Sequence, residues 1–257
     1  MTNFQQLTSH LVDIVFPGDT NHHNSLFGGA ALSHMDKVAF IAASRYARRS
    51  FVTASCERID FQAPARQGQI VDFAGKVVLV GKRSLAVEVE MFAEDLLSGE
   101  TTLCSRGIFN MVSPDKKAPD MLPLVPRIES HEESQILCSR VEMVFADQTN
   151  HYGTLFGGNA LAMMGKTAFI TATRYARKVF VMASSQKTDF IASAQEGEII
   201  DLKGLITNVG NTSLEVEVSM YCEDLLSEER RLCAKSSFIM VAVDEAGKPV
   251  TCHQAVA

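Results

Sequence analysis

The stretch Asn21–Phe40, NHHNSLFGGAALSHMDKVAF, returns as Asn150–Phe169, NHYGTLFGGNALAMMGKTAF. A single offset of 129 residues superimposes the two without a gap. Both keep the asparagine, the LFGG and the lysine, yet Asp36 of the first copy stands opposite Gly165 of the second. The same offset pairs Phe61 with Phe190, Gly68 with Gly197, Gly81 with Gly210 and Phe109 with Phe238. From Thr20 to Arg49, 19 of 30 positions are identical, so the chain of 257 residues is one fold written twice. Each copy has an ordinary domain size, and two copies are too few for a solenoid.

The segment SPDKKAPDMLPLVPRIESHEES between the copies holds four of the seven prolines. Proline fixes φ and removes an amide donor, so this stretch reads as an extended connector. The expected organisation is an N-terminal domain over 1–113, a Pro-rich linker over 114–135 and a C-terminal domain over 136–257.

Within a copy, HLVDIVF at 10–16 reads as an edge strand and PGDTNHHNS as a turn. The run after the glycine pair, AALSHMDKVAFIAASRYARR, is rich in helix formers, and its small side chains suit close packing. The remainder is strand-like. SLAVEVEM at 84–91 alternates strictly, with Leu85, Val87, Val89 and Met91 on one face, and SLEVEVSM at 213–220 repeats the pattern. GQIVDFAGKVVLVG and GETTLCSRGIFNMV bracket it as further strands. Each copy is therefore one helix plus an antiparallel meander, an α+β layout.

Composition narrows the function. The net charge is -6 and no lysine- or arginine-rich run occurs, which argues against a nucleic-acid partner. No stretch approaches the ~20 apolar residues of a membrane helix. The N-terminus MTNFQQLTSH carries neither a secretory h-region nor the arginines of a transit peptide, so a cytoplasmic location is expected. The six cysteines form no C-x-x-C pair and read as reduced thiols, with Cys104 and Cys233 as small core residues. His22, His23 and His151 lack companions at ligand spacing, so no metal is expected. A G-x-S-x-G elbow, a P-loop and a G-x-G-x-x-G are all absent.

The loops DTNHHNSLFGG (19–29) and QTNHYGTLFGG (148–158), each opening a helix, the first followed by Met35–Asp36, and the sheet behind them resemble the tandem hotdog-fold acyl-CoA thioesterase family. The resemblance covers nearly the whole chain apart from linker and tails. It implies two tandem hotdog domains, each a central helix wrapped by a curled antiparallel sheet, paired as an intrachain pseudo-dimer. It also implies hydrolysis of acyl-CoA to free acid and CoA, with coenzyme A as part of substrate and product and no separate cofactor. A homo-oligomer is expected, a trimer of tandem chains being a form that tandem members often take. Sites in the family join an asparagine and a glycine amide of one unit to a carboxylate of the other.

Helix geometry leads to the same division. Gly28 and Asp36 are eight residues apart, roughly 12 Å along one helix, so one helix cannot easily aim both at one carbon. A helix N-terminus presents unpaired amides suited to an oxyanion, and a second helix supplies the base. The expected catalytic set is Asp36 as general base, Asn150 to orient water or carboxylate, and Gly157 as oxyanion donor. Gly158, Phe156, Lys82 and Arg83 are the expected substrate contacts. Asn21, Gly28 and Gly165 form the degenerate counterpart, which lacks a base. Each residue also has a structural reading: a surface aspartate, turn asparagines, glycines that permit close packing, and a solvated KRS turn. Rival functions are a non-catalytic acyl-CoA-binding module and a hotdog hydratase or dehydratase. The latter calls for a histidine–acid pair that no H-F-P pattern supplies here.

Overall fold

The computed structural model describes residues 8–115, 120–121, 136–227 and 229–253. The expected linker at 114–135 lies outside the described residues apart from Pro114, Asp115, Asp120 and Met121. The chain forms two units of the same architecture.

In the first unit β1 (Ser9–Ile14) leads through a single 3-10 turn at Pro17–Asp19 to α1 (Gly28–Ala47). The strands β2 (Val52–Cys56), β3 (Asp60–Phe61), β4 (Ile70–Val80), β5 (Ser84–Glu94) and β6 (Thr101–Val112) follow. Every pairing is antiparallel, in the order β1-β4-β5-β6-β2, with β3 also on β6. The second unit repeats this with β7 (Cys138–Met143), α2 (Gly157–Ala176), β8 (Phe180–Ser185), β9 (Asp189–Phe190), β10 (Ile199–Val209), β11 (Ser213–Glu223) and β12 (Arg230–Ala242).

The alternation read from β5 is the burial observed. Leu85, Val87, Val89 and Met91 are buried against α1, and Leu214, Val216, Val218 and Met220 are buried in the second core. A slip of one residue would turn this whole set outward, so burial pins the register. The helix contributes Ala31, Met35, Val38, Ala42 and Tyr46 at three- and four-residue steps, and this stripe meets the sheet. Close approach is enforced where α1 crosses β4. A Cβ built on Gly75 would lie 3.1 Å from the Val38 carbonyl oxygen, and one on Gly204 would lie 2.0 Å from Thr171 Oγ1. Bulges bend the sheet around the helix, between Val77 and Leu79 and between Met91 and Phe92, with counterparts at the same offset in the second unit. Each unit is thus a hotdog fold, a curled antiparallel sheet around one helix.

Two features depart from the sequence reading. β2 and β3, unanticipated, are exposed along their length and carry no alternation. Among the six cysteines, Cys222 and Cys233 are disulfide-bonded rather than free, with Cα atoms 6.0 Å apart. They sit on neighbouring strands facing the same core, whereas in the first unit the position equivalent to Cys222 is Ala93, which has no sulfur. Cys104 and Cys233 are both fully buried, as core residues should be. No described helix is long and apolar enough to cross a membrane.

Candidate active site

The loop before each helix is built by its asparagine. Asn21 Oδ1 accepts from the His23 amide (2.8 Å) and the Ser25 amide (3.4 Å), and Nδ2 donates to Ser25 Oγ (3.1 Å). Asn150 does the same with Tyr152 (2.9 Å), Thr154 N (3.3 Å) and Thr154 Oγ1 (2.9 Å). An amide nitrogen carries two hydrogens, so each asparagine keeps one Nδ2 donor beyond these bonds among the described residues.

Both helices then begin without a side-chain cap, at Phe27 and Phe156. The first intrahelical bonds run from Ala31 to the Phe27 carbonyl and from Ala160 to the Phe156 carbonyl. The amides of Gly28 and Gly29, and of Gly157 and Gly158, precede them and point out of the helix end, where the dipole favours negative charge. The two glycines of a pair differ in role. A Cβ on Gly29 would meet the Phe27 ring at 2.5 Å, and one on Gly158 would meet the Phe156 ring at 2.8 Å. Gly158 therefore clears space for Phe156, an exposed ring. A Cβ on Gly28 or Gly157 would instead meet the Phe61 or Phe190 ring at an ordinary contact distance of 3.8 Å.

Asp36 lies just over two turns into α1, partly exposed, and Thr53 Oγ1 donates to its Oδ1 at 2.6 Å. Thr53 is on β2, opposite Met111 of β6. In the second unit both partners are replaced, by Gly165 and Met182. The Met182 methyl lies 2.9 Å from where a Gly165 Cβ would stand, so it occupies space beside the glycine where the first copy has a side chain. Cys56, the exposed cysteine of β2, is close enough to register the acid. Burial, then the Asp36 and Glu57 carboxylates, push its thiol above the ordinary value.

Lys82 and Arg83 occupy the β4–β5 turn. Val52 pairs with Val112, which pairs with Ser84, so the turn lies two strands from β2, about 10 Å across the sheet. It is therefore at the Asp36–Thr53 end of the first unit. Arg83 is committed to the fold, donating to the Ser113 carbonyl at 3.0 Å, whereas Lys82 is exposed.

A cavity opens beside each helix N-terminus. That of the second unit, about 350 Å³, is lined by Leu155, Gly157, Ala160, Met220 and the 190–194 segment. That of the first, about 270 Å³, uses the corresponding residues and also Asn21 and Ser25.

A family model described as the thioesterase superfamily matches residues 23–100 and again 152–228, more than half of the chain. The chain belongs to the thioesterase superfamily. As a tandem thioesterase it is similar over its whole length to a crystal structure of an acyl-CoA hydrolase from Agrobacterium tumefaciens. The two are 46% identical with a TM-score of 0.87, over 96% of this chain and 98% of that one. An uncharacterized acyl-CoA thioester hydrolase of Bacillus subtilis is 38% identical over 123 residues, 48% of this chain and 70% of the relative. A cytosolic acyl coenzyme A thioester hydrolase of Rattus norvegicus is 23% identical over 290 residues, 95% of this chain and 76% of the relative.

Sequence reasoning missed one residue of this thioesterase's candidate site, Thr53. A signal for it was present. FVTAS at 51–55 and FVMAS at 180–184 differ only at the threonine, which changes in the same copy that loses Asp36.

Proposed function

We propose that the chain hydrolyses acyl-CoA thioesters to the free acid and CoA, at one site per chain to which both copies contribute. The observation that carries the reading is the Asp36–Thr53 pair at 2.6 Å, present once and replaced in the other copy by Gly165 and Met182. Similarity to acyl-CoA hydrolases along the full length supports the reaction class.

In this reading Asp36 takes a proton from water as the water oxygen attacks the thioester carbonyl carbon. Thr53 holds the carboxylate in position, and the remaining Asn150 Nδ2 donor orients water or carboxylate. The Gly157 amide stabilises the oxyanion, aided by the end of α2. Collapse breaks the C–S bond, and the proton passes to the departing CoA sulfur. General-base help is worth ~10²–10⁴ and an oxyanion donor ~10²–10³ in rate. Coenzyme A arrives with the substrate, and no cofactor enters. Phe156 and Lys82 are proposed to contact substrate. A homo-oligomer in the cytoplasm fits the reading, as one relative is named cytosolic.

The test is thiol release from a panel of acyl-CoAs by wild type, Asp36→Asn and Asn150→Ala, with Asn21→Ala as control. Loss of most activity in the first two, with the third near wild type, is the expected result. Equal effects of Asn21→Ala and Asn150→Ala would remove the asymmetric site, and absence of thiol release from wild type would remove the enzyme.

A further inference from the structure

The two cavities come from one template, and their differences are few. At the 129-residue offset Leu155, Gly157, Ala160, Phe190, Ala192, Ala194 and Met220 all have identical counterparts. The backbone agrees too. Ile191 and Ala192 donate to the Cys233 carbonyl at 2.8 and 3.3 Å, and Gln62 and Ala63 donate to the Cys104 carbonyl at 2.8 and 3.4 Å. Floor and frame are therefore shared. What changes is the wall, where Ile191 stands in place of Gln62 and Ser193 in place of Pro64.

The exchange makes the second cavity apolar. A Gln62 amide, with Asn21 and Ser25 nearby, lines the first cavity, whereas among the described residues the Ser193 hydroxyl is the lone polar side chain lining the second. The second wall is also held more firmly. Arg231 forks onto Glu198 at 2.8 and 2.7 Å, donates to the Ser193 carbonyl at 2.7 Å, and Glu198 accepts from the Gln195 amide at 2.8 Å. The first unit has Thr102 and Gln69 at these positions and cannot form the fork. A wall pinned before binding loses less freedom when a chain enters.

We propose that the cavity of the second unit receives the acyl chain and that Ile191 is a specificity-determining residue selecting unsubstituted aliphatic acyl groups. This rests on the functional reading above, because the cavity adjoins Gly157, the oxyanion donor of that reading. A thioester whose carbonyl oxygen sits on the Gly157 amide directs its chain toward Ala160, Met220 and Ile191. Each methylene entering an apolar wall is favoured by roughly fourfold in kcat/KM. A carboxylate or hydroxyl on the chain would be buried with one hydroxyl for company and is disfavoured.

Ile191 is 60% exposed, at the rim, so replacing it leaves folding intact. The test compares acetyl-, butyryl-, hexanoyl-, octanoyl- and succinyl-CoA on wild type, Ile191→Gln and Gln62→Ile. Wild-type kcat/KM is expected to rise from acetyl to octanoyl and to be low for succinyl. Ile191→Gln should lower octanoyl-CoA turnover by about tenfold while leaving acetyl-CoA within twofold, and Gln62→Ile should change neither. An unchanged chain-length profile in Ile191→Gln, with hydrolysis intact, overturns this inference and leaves the enzyme standing. So does a shift in Gln62→Ile as large as that in Ile191→Gln. Wild type that releases no thiol from any substrate overturns both.

Discussion

Replacing Thr53 by valine removes one hydroxyl while keeping the branched shape, and the consequence can be sized in advance. The Thr53 Oγ1–Asp36 Oδ1 distance is 2.6 Å, in the range of charge-assisted bonds. Such a bond contributes ~1.5–3 kcal/mol, so if Asp36 acts only when correctly aimed, kcat/KM falls about 10- to 150-fold. Thr53 is exposed, so Tm should hardly move. Thr53→Ser retains the hydroxyl and should stay within a fewfold of wild type. Asp36→Asn removes the base and should cost ~10²–10⁴. Since Thr53 acts through Asp36, the double variant Asp36→Asn/Thr53→Val should be no worse than Asp36→Asn alone. The assay is initial-rate thiol release with octanoyl-CoA, with circular dichroism to confirm folding. Thr53→Val within twofold of wild type, or losses that multiply in the double variant, would refute the positioning role.

Gly165→Asp alone should add little activity, because Met182 offers no hydroxyl to hold the new carboxylate, whereas Gly165→Asp with Met182→Thr rebuilds the pair. Rates measured in an Asp36→Asn background would reveal any revived site. Asp36→Asn should also speed labelling of Cys56 by a thiol reagent at pH 8, because removing a neighbouring carboxylate lowers the thiol pKa and raises the thiolate fraction. Unchanged labelling, followed by mass spectrometry, would mean that Asp36 carries no charge near that thiol. Gly204→Ala should destabilise the second unit by about 1–3 kcal/mol in urea unfolding, since its Cβ would lie 2.0 Å from Thr171 Oγ1.

The legible parts of the fold were those where burial writes a period. Alternation in β5 and β11 and the helix-forming run marked one helix plus an antiparallel meander, the internal repeat marked the doubling, and the wrapping of sheet around helix was implied by the resemblance alone. β2 escaped because both of its faces are exposed and no pattern marks it. Thr53 escaped with it, since a hydroxyl on an exposed strand becomes meaningful only once pairing with β6 brings it beside α1. The Cys222–Cys233 bond was hidden for a similar reason. Residues separated by 11 positions meet only through strand register and a bulge. Wall residues such as Ile191 gained meaning from comparison of two cavities that neither copy reveals alone.

The repeat also shows why retention and loss carry different weight. Both asparagines are retained, and each has a folding reason, because its side chain closes the turn that feeds the helix. Both second glycines are retained, and each gives a phenylalanine ring its place. Their persistence in two copies therefore says little about chemistry. Asp36 and Thr53 have no such duty. Each is at least partly exposed, they bond to each other, and the second copy folds the same way with glycine and methionine instead. The fold does not require this pair, since the second copy forms the same architecture with glycine and methionine in its place. In the proposed reading, that pair serves the carboxylate's use on a substrate.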